Sequence, residues 1–347
     1  MSDVPDVRLS VLDISPVFEG STATDALRET IELARRVEEM GYHRYWVAEH
    51  HAMRNIASCS PPVLIGRIAD ATTRMRVGAG GVMLANHAPL VVAEQFGTLE
   101  ALHPGRIDLG VGRAPGTDPG TARALRRVVA PGEQDDFPQR LVELMSYFEP
   151  AASPDSAAVL AVPAQGARMP TWLLGTSGYS ARMAGMLGLP FAFAHHLAPA
   201  GAAAALDVYR TTFHPSPELD RPYAILAAMV IAADSDERAR WLAGPMALTS
   251  LLHRTTGMPG LHPTPEQAAR RSYTAQERRF IEERLDNHLI GGPDTIRRRV
   301  GELVRETGAD ELMALGLIHG LPERVHSFRL LADAVRVGEP AAEHTAR

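Results

Sequence analysis

Short apolar runs that read as buried strands alternate along this chain with longer stretches whose apolar positions recur at helical spacing. The first run, residues 7–14, ends at Ser15-Pro16. Thr24 then suits a helix cap, with Leu27, Ile31, Ala34 and Val37 on one face and Gly41 as the stop. A second strand is predicted at 44–48 and a helix at 61–71, with proline in its first turn. The third strand, 75–84, is interrupted by Gly80-Gly81, and Pro89 opens a helix through Leu102. Five more strands follow at 106–111, 171–174, 191–194, 223–232 and 311–317. Helices are predicted at 137–148, at 179–187 and from about Pro322 onward.

Eight strands separated by helices fit a (β/α)8 TIM barrel with right-handed crossovers. A doubly wound open sheet shows the same alternation with fewer units. Two stretches break the rhythm, 115–170 after the fourth strand and 239–286 after the seventh. They read as insertions in a single barrel domain spanning 1–347, the second being either a lid or an inert excursion.

Composition narrows the chemistry. The chain has 347 residues, 45% hydrophobic and 22% charged, which suits one barrel with insertions and a sizeable core. Its formal net charge of −6, with both signs interspersed, argues against a nucleic-acid surface. All 35 basic residues are arginine. Without lysine there is no Schiff base, no pyridoxal-phosphate anchor and no P-loop, so any phosphate must be held by arginine, hydroxyls or backbone N–H groups. Cys59 stands alone, which excludes an internal disulfide and a cysteine metal cluster, and it reads as a small packing group. The N-terminus lacks a basic, apolar leader, and the longest apolar stretch, 224–233, is too short for a bilayer; a cytoplasmic protein is expected.

In such barrels the active site forms from the loops after the strands. Those loops hold Glu49-His50-His51, Gly80-Gly81, Gly112-Arg113, Thr176-Ser177-Gly178-Tyr179-Ser180 and His195-His196. The Thr176–Ser180 segment joins a strand to a helix, and its hydroxyls and N–H groups surround a positive helix end. An ordinary cap needs one hydroxyl; three hydroxyls and glycine favour a phosphate cradle. Arg113 suits a second face of the same phosphate. The glycines around it lack G-x-G-x-x-G spacing, and Pro115 would interrupt the following helix. Gly80-Gly81 inside a strand is either a bulge or a place where a flat ring presses close. Adjacent residues point to opposite faces, so neither histidine pair should chelate one metal, and no HExxH spacing occurs; no metal is expected.

Several segments together resemble a known family. Tyr45-Trp46-Val47-Ala48-Glu49-His50-His51 resembles the second-strand motif of the bacterial luciferase-like flavin monooxygenases. Residues 76–84 with His87-Ala88-Pro89, residues 105–113, and residues 175–180 with Gly188-Leu189-Pro190 are similar to its third, fourth and fifth motifs. The likeness runs in order from Leu9 to Leu317. It implies a monooxygenase that takes reduced FMN from a separate flavin reductase and uses O2 to hydroxylate or epoxidise an organic substrate. Gly80 and Gly81 would lie under the flavin ring, at a non-proline cis peptide. Arg113, Thr176, Ser177, Gly178, Tyr179 and Ser180 would line the phosphate, and His50 would be the catalytic proton handler. The motif spelling resembles a subgroup with tailoring oxygenases for aromatic polyketides in antibiotic biosynthesis. Homodimers are common in the family. Gly112 replaces the reactive cysteine of luciferase, and Thr176 an acidic residue, so light emission is not implied. Rival readings are an F420-dependent hydride-transfer enzyme, a non-catalytic flavin-binding barrel and a metal-dependent hydrolase.

Overall fold

A computed structural model describes residues 7–114, 119–125, 136–150, 159–257 and 260–335. The chain runs β1 (Arg8–Asp13), α1 (Ala23–Glu39), β2 (Arg44–Val47), α2 (Pro61–Ala71), β3 (Arg76–Ala79), β4 (Val82–Met83) and α3 (Pro89–Leu102). It continues with β5 (Ile107–Gly112), α4 (Pro119–Ala124), α5 (Phe137–Ser146), β6 (Thr171–Gly175), α6 (Gly178–Met186), β7 (Phe191–Phe193) and α7 (Ala202–Thr212). The remainder is β8 (Ala224–Ala232), α8 (Asp236–Thr256), α9 (Pro265–Arg270), α10 (Ala275–Asp286), β9 (Leu289–Gly291), α11 (Pro293–Thr307), β10 (Glu311–Leu315) and α12 (Leu321–Val335).

Eight strands pair in parallel in the order β10-β1-β2-β3-β5-β6-β7-β8, and β8 pairs with β10 to close the ring. This is the (β/α)8 barrel that the alternation predicted. Successive strand residues face opposite ways and so feed two cores. Leu12, Trp46, Trp172, Ile225, Met229 and Met313 fill the barrel interior. Val11, Val47, Val77, Leu109 and Leu226 pack outward against Leu33, Ile65 and Phe96 of the surrounding helices. At Gly110 a Cβ would lie 2.0 Å from the carbonyl oxygen of Ala79, so only glycine lets β3 and β5 approach this closely.

A buried charge cluster floors the barrel at the N-terminal ends of its strands. Arg44 reaches Asp108 at 2.7 Å and Glu311 at 2.7 Å, and Arg76 reaches the other oxygen of Asp108 at 2.7 Å. Trp46 Nε1 donates to Asp108 at 2.9 Å, and the Tyr223 hydroxyl donates to Glu311 at 2.8 Å. Burial would raise the Asp108 pKa, but Arg44, Arg76 and Trp46 outweigh it and hold the carboxyl below its usual value.

Several expectations need correction. The third strand breaks after Ala79 into β3 and the two-residue β4, followed by a 3-10 turn over Leu84–Asn86. The cap of α1 is Thr22 rather than Thr24, because Asp25 then stands three residues on and closes a reciprocal capping box. Strand β9 was not foreseen; three residues are too few to show an alternating pattern, and it pairs beside β8 outside the closed ring. Cys59 is exposed in the turn before α2 and packs into no core. The 239–286 stretch is largely helical, comprising most of α8 with α9 and α10, and His262 in it joins the loop after β1 through Glu19 N–H to His262 O at 2.8 Å. Of the 115–170 stretch, α4 and α5 are described, while 115–118, 126–135 and 151–158, like Met258 and Pro259, lie outside the described residues.

Candidate active site

The loops at the C-terminal ends of β2, β3, β5 and β6 lie side by side in the barrel order and carry His50, Gly80-Gly81, Arg113 and the 176–180 segment, while His195-His196 follows β7. His50 follows β2. Its N–H donates to Ser58 O at 3.0 Å, while its Nδ1 is buried with no hydrogen-bond partner among the described residues. Burial lowers its pKa from 6.5, with Glu49 opposing and His51 assisting, so the ring is neutral at neutral pH. Next along the rim, Gly80 N–H donates to Val47 O at 2.9 Å, and the Gly80–Gly81 peptide bond is cis. A Cβ on Gly81 would meet Gly110 O at 2.7 Å and Leu174 at 3.1 Å, so this glycine is wedged between β5 and β6. Outside glycine, positive φ occurs among the described residues at Ser15 and Ala52, just past β1 and β2, which concentrates backbone strain at this end of the barrel.

Beyond β5, the Arg113 guanidinium sits 4.7 Å from the ring centroid of Tyr179, in the first turn of α6. The two loops predicted to share a phosphate therefore meet. Ser177 caps α6 in extended conformation, yet its side chain makes no capping hydrogen bond. The first-turn N–H groups of α6 are consequently not occupied by their own cap. Thr176, Ser177 and Tyr179 are exposed, Ser180 is buried, and a Cβ on Gly178 would meet nothing within 4 Å. Gly175 lies so close to Ser180 that a Cβ would come within 2.4 Å of it, which pins the start of α6 to the end of β6.

Sequence reasoning missed a second cluster beside His50. The buried Glu49 carboxylate accepts from His51 Nε2 and His87 Nε2, each at 2.8 Å, and from Met83 N–H at 3.0 Å. Burial raises the Glu49 pKa, but these donors outweigh it and keep the group ionised. The three side chains offer ligand atoms within 4.8 Å of one another, a set that could take a metal ion. The shared carboxylate oxygen is already bonded to both imidazoles, so as it stands the trio is a hydrogen-bonded clamp between the β2 loop and β4. Its signal lies in the Glu49-His50-His51 and His87-Ala88-Pro89 segments, which the fold brings together across 36 positions of sequence from His51 to His87.

Fold and rim together define a luciferase-like barrel, and the chain belongs to the luciferase-like monooxygenase family, whose model matches residues 7–311. A luciferase-like monooxygenase of Escherichia coli (strain K12) is 46% identical over 327 residues, 94% of this chain and 96% of that protein. The N-acetyl-S-alkylcysteine monooxygenase of Bacillus subtilis (strain 168) is 34% identical over 335 residues, 95% of this chain and 98% of that one. Among solved structures, apo-MsnO8 superposes with a TM-score of 0.84 at 37% identity, covering 96% of this chain and 100% of that one. No helix among the described residues is long and apolar enough to cross a membrane.

Proposed function

We propose that the protein is a two-component flavin monooxygenase that receives reduced FMN from a separate flavin reductase and uses O2 to oxygenate a small organic substrate. The observation that carries this reading is the meeting of Arg113 with Tyr179 at a helix start whose cap leaves its N–H groups open. That donor set fits a phosphate without any lysine: guanidinium, exposed Thr176 and Ser177 hydroxyls, and backbone N–H groups at a positive helix end. Ser180 and Gly178 complete the turn.

Bound reduced FMN supplies the electrons that activate O2. The chain's own residues do the rest. Gly80 and Gly81, between the His50 loop and Arg113, offer the flavin ring a surface free of side chains. His50, neutral and with an unpartnered Nδ1, holds or passes a proton beside that ring. Glu49 fixes His51, His87 and the Met83 N–H, and so positions the loops on both sides of His50.

The fact that a relative acts on N-acetyl-S-alkylcysteines supports a small organic substrate. Motif spelling and 39% identity over 87 residues to a 4-hydroxyprotoasukamycin monooxygenase of Streptomyces nodosus subsp. asukaensis support a polyketide-tailoring role. On this reading the protein works in the cytoplasm as a homodimer, with the α8–α10 segment as a cover over the site. Arg113→Ala tests the phosphate contact: it should weaken FMN roughly tenfold to hundredfold and leave riboflavin, which lacks the phosphate, nearly unchanged. Equal losses for the two ligands in a fluorescence titration would remove Arg113 from the site.

A further inference from the structure

Across the barrel mouth from His50 stands a second set of polar groups that the flavin arrangement leaves unused. β2 and β7 are four strands apart in either direction round the ring, so His195 and His196, just past β7, lie opposite the β2 loop. His196 Nδ1–H donates to Ala227 O at 2.9 Å. By contrast His195 Nδ1, both ring nitrogens of His288 and Arg284 Nε are buried with no hydrogen-bond partner among the described residues. His195 is 7% exposed and His288 1% exposed, so water does not serve those rings freely. Arg284, half-buried in the last turn of α10, makes no ion pair or hydrogen bond among the described residues, although arginines so placed ordinarily find a carboxylate.

These groups act on one another. Burial first, then Arg284, His196 and His195, push His288 down to about 3; His196 falls to about 4 through burial, with His195, Arg284 and His50 adding to it. The imidazoles are therefore neutral donors and acceptors at neutral pH, and Arg284 is the uncompensated cation beside them. The wall next to His288 is apolar, with Met229, Ile231 and Ile290 in the interior cluster.

We propose that Arg284, His288 and His195 form an anion subsite that takes the carboxylate of the substrate, with the substrate's apolar remainder directed across the mouth toward His50. This rests on the reading of the mouth as an oxygenation site, and it commits the substrate to being an apolar carboxylic acid. Arg284 would supply the charge-assisted bonds, and the two imidazoles would fill the remaining oxygen positions.

Calorimetric titration of the full chain with 4-phenylbutyrate, its methyl ester and 4-phenylbutylamine tests the subsite, with FMN titrated into the same samples. The carboxylate should bind at least tenfold more tightly than ester or amine. Arg284→Met should weaken the carboxylate roughly tenfold to hundredfold and leave the ester unchanged, and His288→Gln should act in the same direction with a smaller effect. The subsite is overturned if ester and carboxylate bind alike, if Arg284→Met changes nothing, or if none of the three binds. FMN binding without carboxylate preference would sink the subsite and leave the flavin reading standing. Carboxylate preference without FMN binding would do the reverse.

Discussion

Asp108→Asn probes how the barrel holds its shape beneath the site. Asp108 is fully buried, and its two oxygens accept from Arg44 at 2.7 Å, Trp46 at 2.9 Å and Arg76 Nε at 2.8 Å. Arg44 and Arg76 are balanced by Asp108 and Glu311, so the cluster is neutral as built. Asparagine keeps the shape but removes one charge and turns an NH2 toward existing donors. Arg76 is partly exposed and can turn to water, whereas Arg44, its side chain 5% exposed, is left with Glu311 as its remaining carboxylate. Breaking such a buried pair costs about 3–5 kcal/mol. With a urea m-value on the order of 3 kcal/mol/M, the midpoint should fall by roughly 1–1.7 M at unchanged m. Trp46 reports locally through its fluorescence, and circular dichroism reports globally. Flavin binding should survive in the folded fraction, since the cluster sits at the end of the barrel away from the loops. A loss below about 1 kcal/mol would show that the floor is not the structural element argued for.

Other expectations follow from the same geometry. If neutral His50 handles the proton, O2 consumption coupled to a flavin reductase should fall away on an acidic limb below pH 6.5, because burial lowers the His50 pKa. His50→Ala should erase that limb and slow turnover roughly 100- to 10,000-fold while FMN affinity holds; an unaltered profile would exclude His50 from the chemistry. His262 and His288, with pKa values pushed by burial to about 4 and about 3, bind protons in the unfolded chain before the folded one. Their folded pKa values are depressed, so their stability is present above pH 6.5 and is lost as pH falls from there toward 4 and 3. Between pH 7 and pH 5 each should cost about 2 kcal/mol in chemical unfolding, and a flat stability over that range would contradict their burial as neutral rings.

The barrel was legible because the strands are short apolar runs and helices such as α1 and α5 carry a one-sided apolar stripe, so the order of elements survived small errors at their ends. Where the sequence misled, a near neighbour offered a better local partner or the element was too short to show a period. Thr22 takes the α1 cap through Asp25, and β9 has three residues. The rim residues His50, Gly80-Gly81, Arg113 and 176–180 were readable because strand ends are where barrels do chemistry. Glu49 and His51 stand far from His87 in sequence, and only the fold carries His87 back beside β2. Arg284 and His288 had no local signature at all; they stand out through polar atoms that the fold buries without partners among the described residues.

The central claim is that the rim from β2 to β6 holds reduced FMN for reaction with O2. Anaerobic titration of the protein with reduced FMN and with reduced F420, followed by admission of air, tests it most directly. Reduced FMN should bind saturably, more weakly after Arg113→Ala, with O2 consumed on mixing. Binding and turnover with reduced F420 alone, and none with reduced FMN, would contradict it.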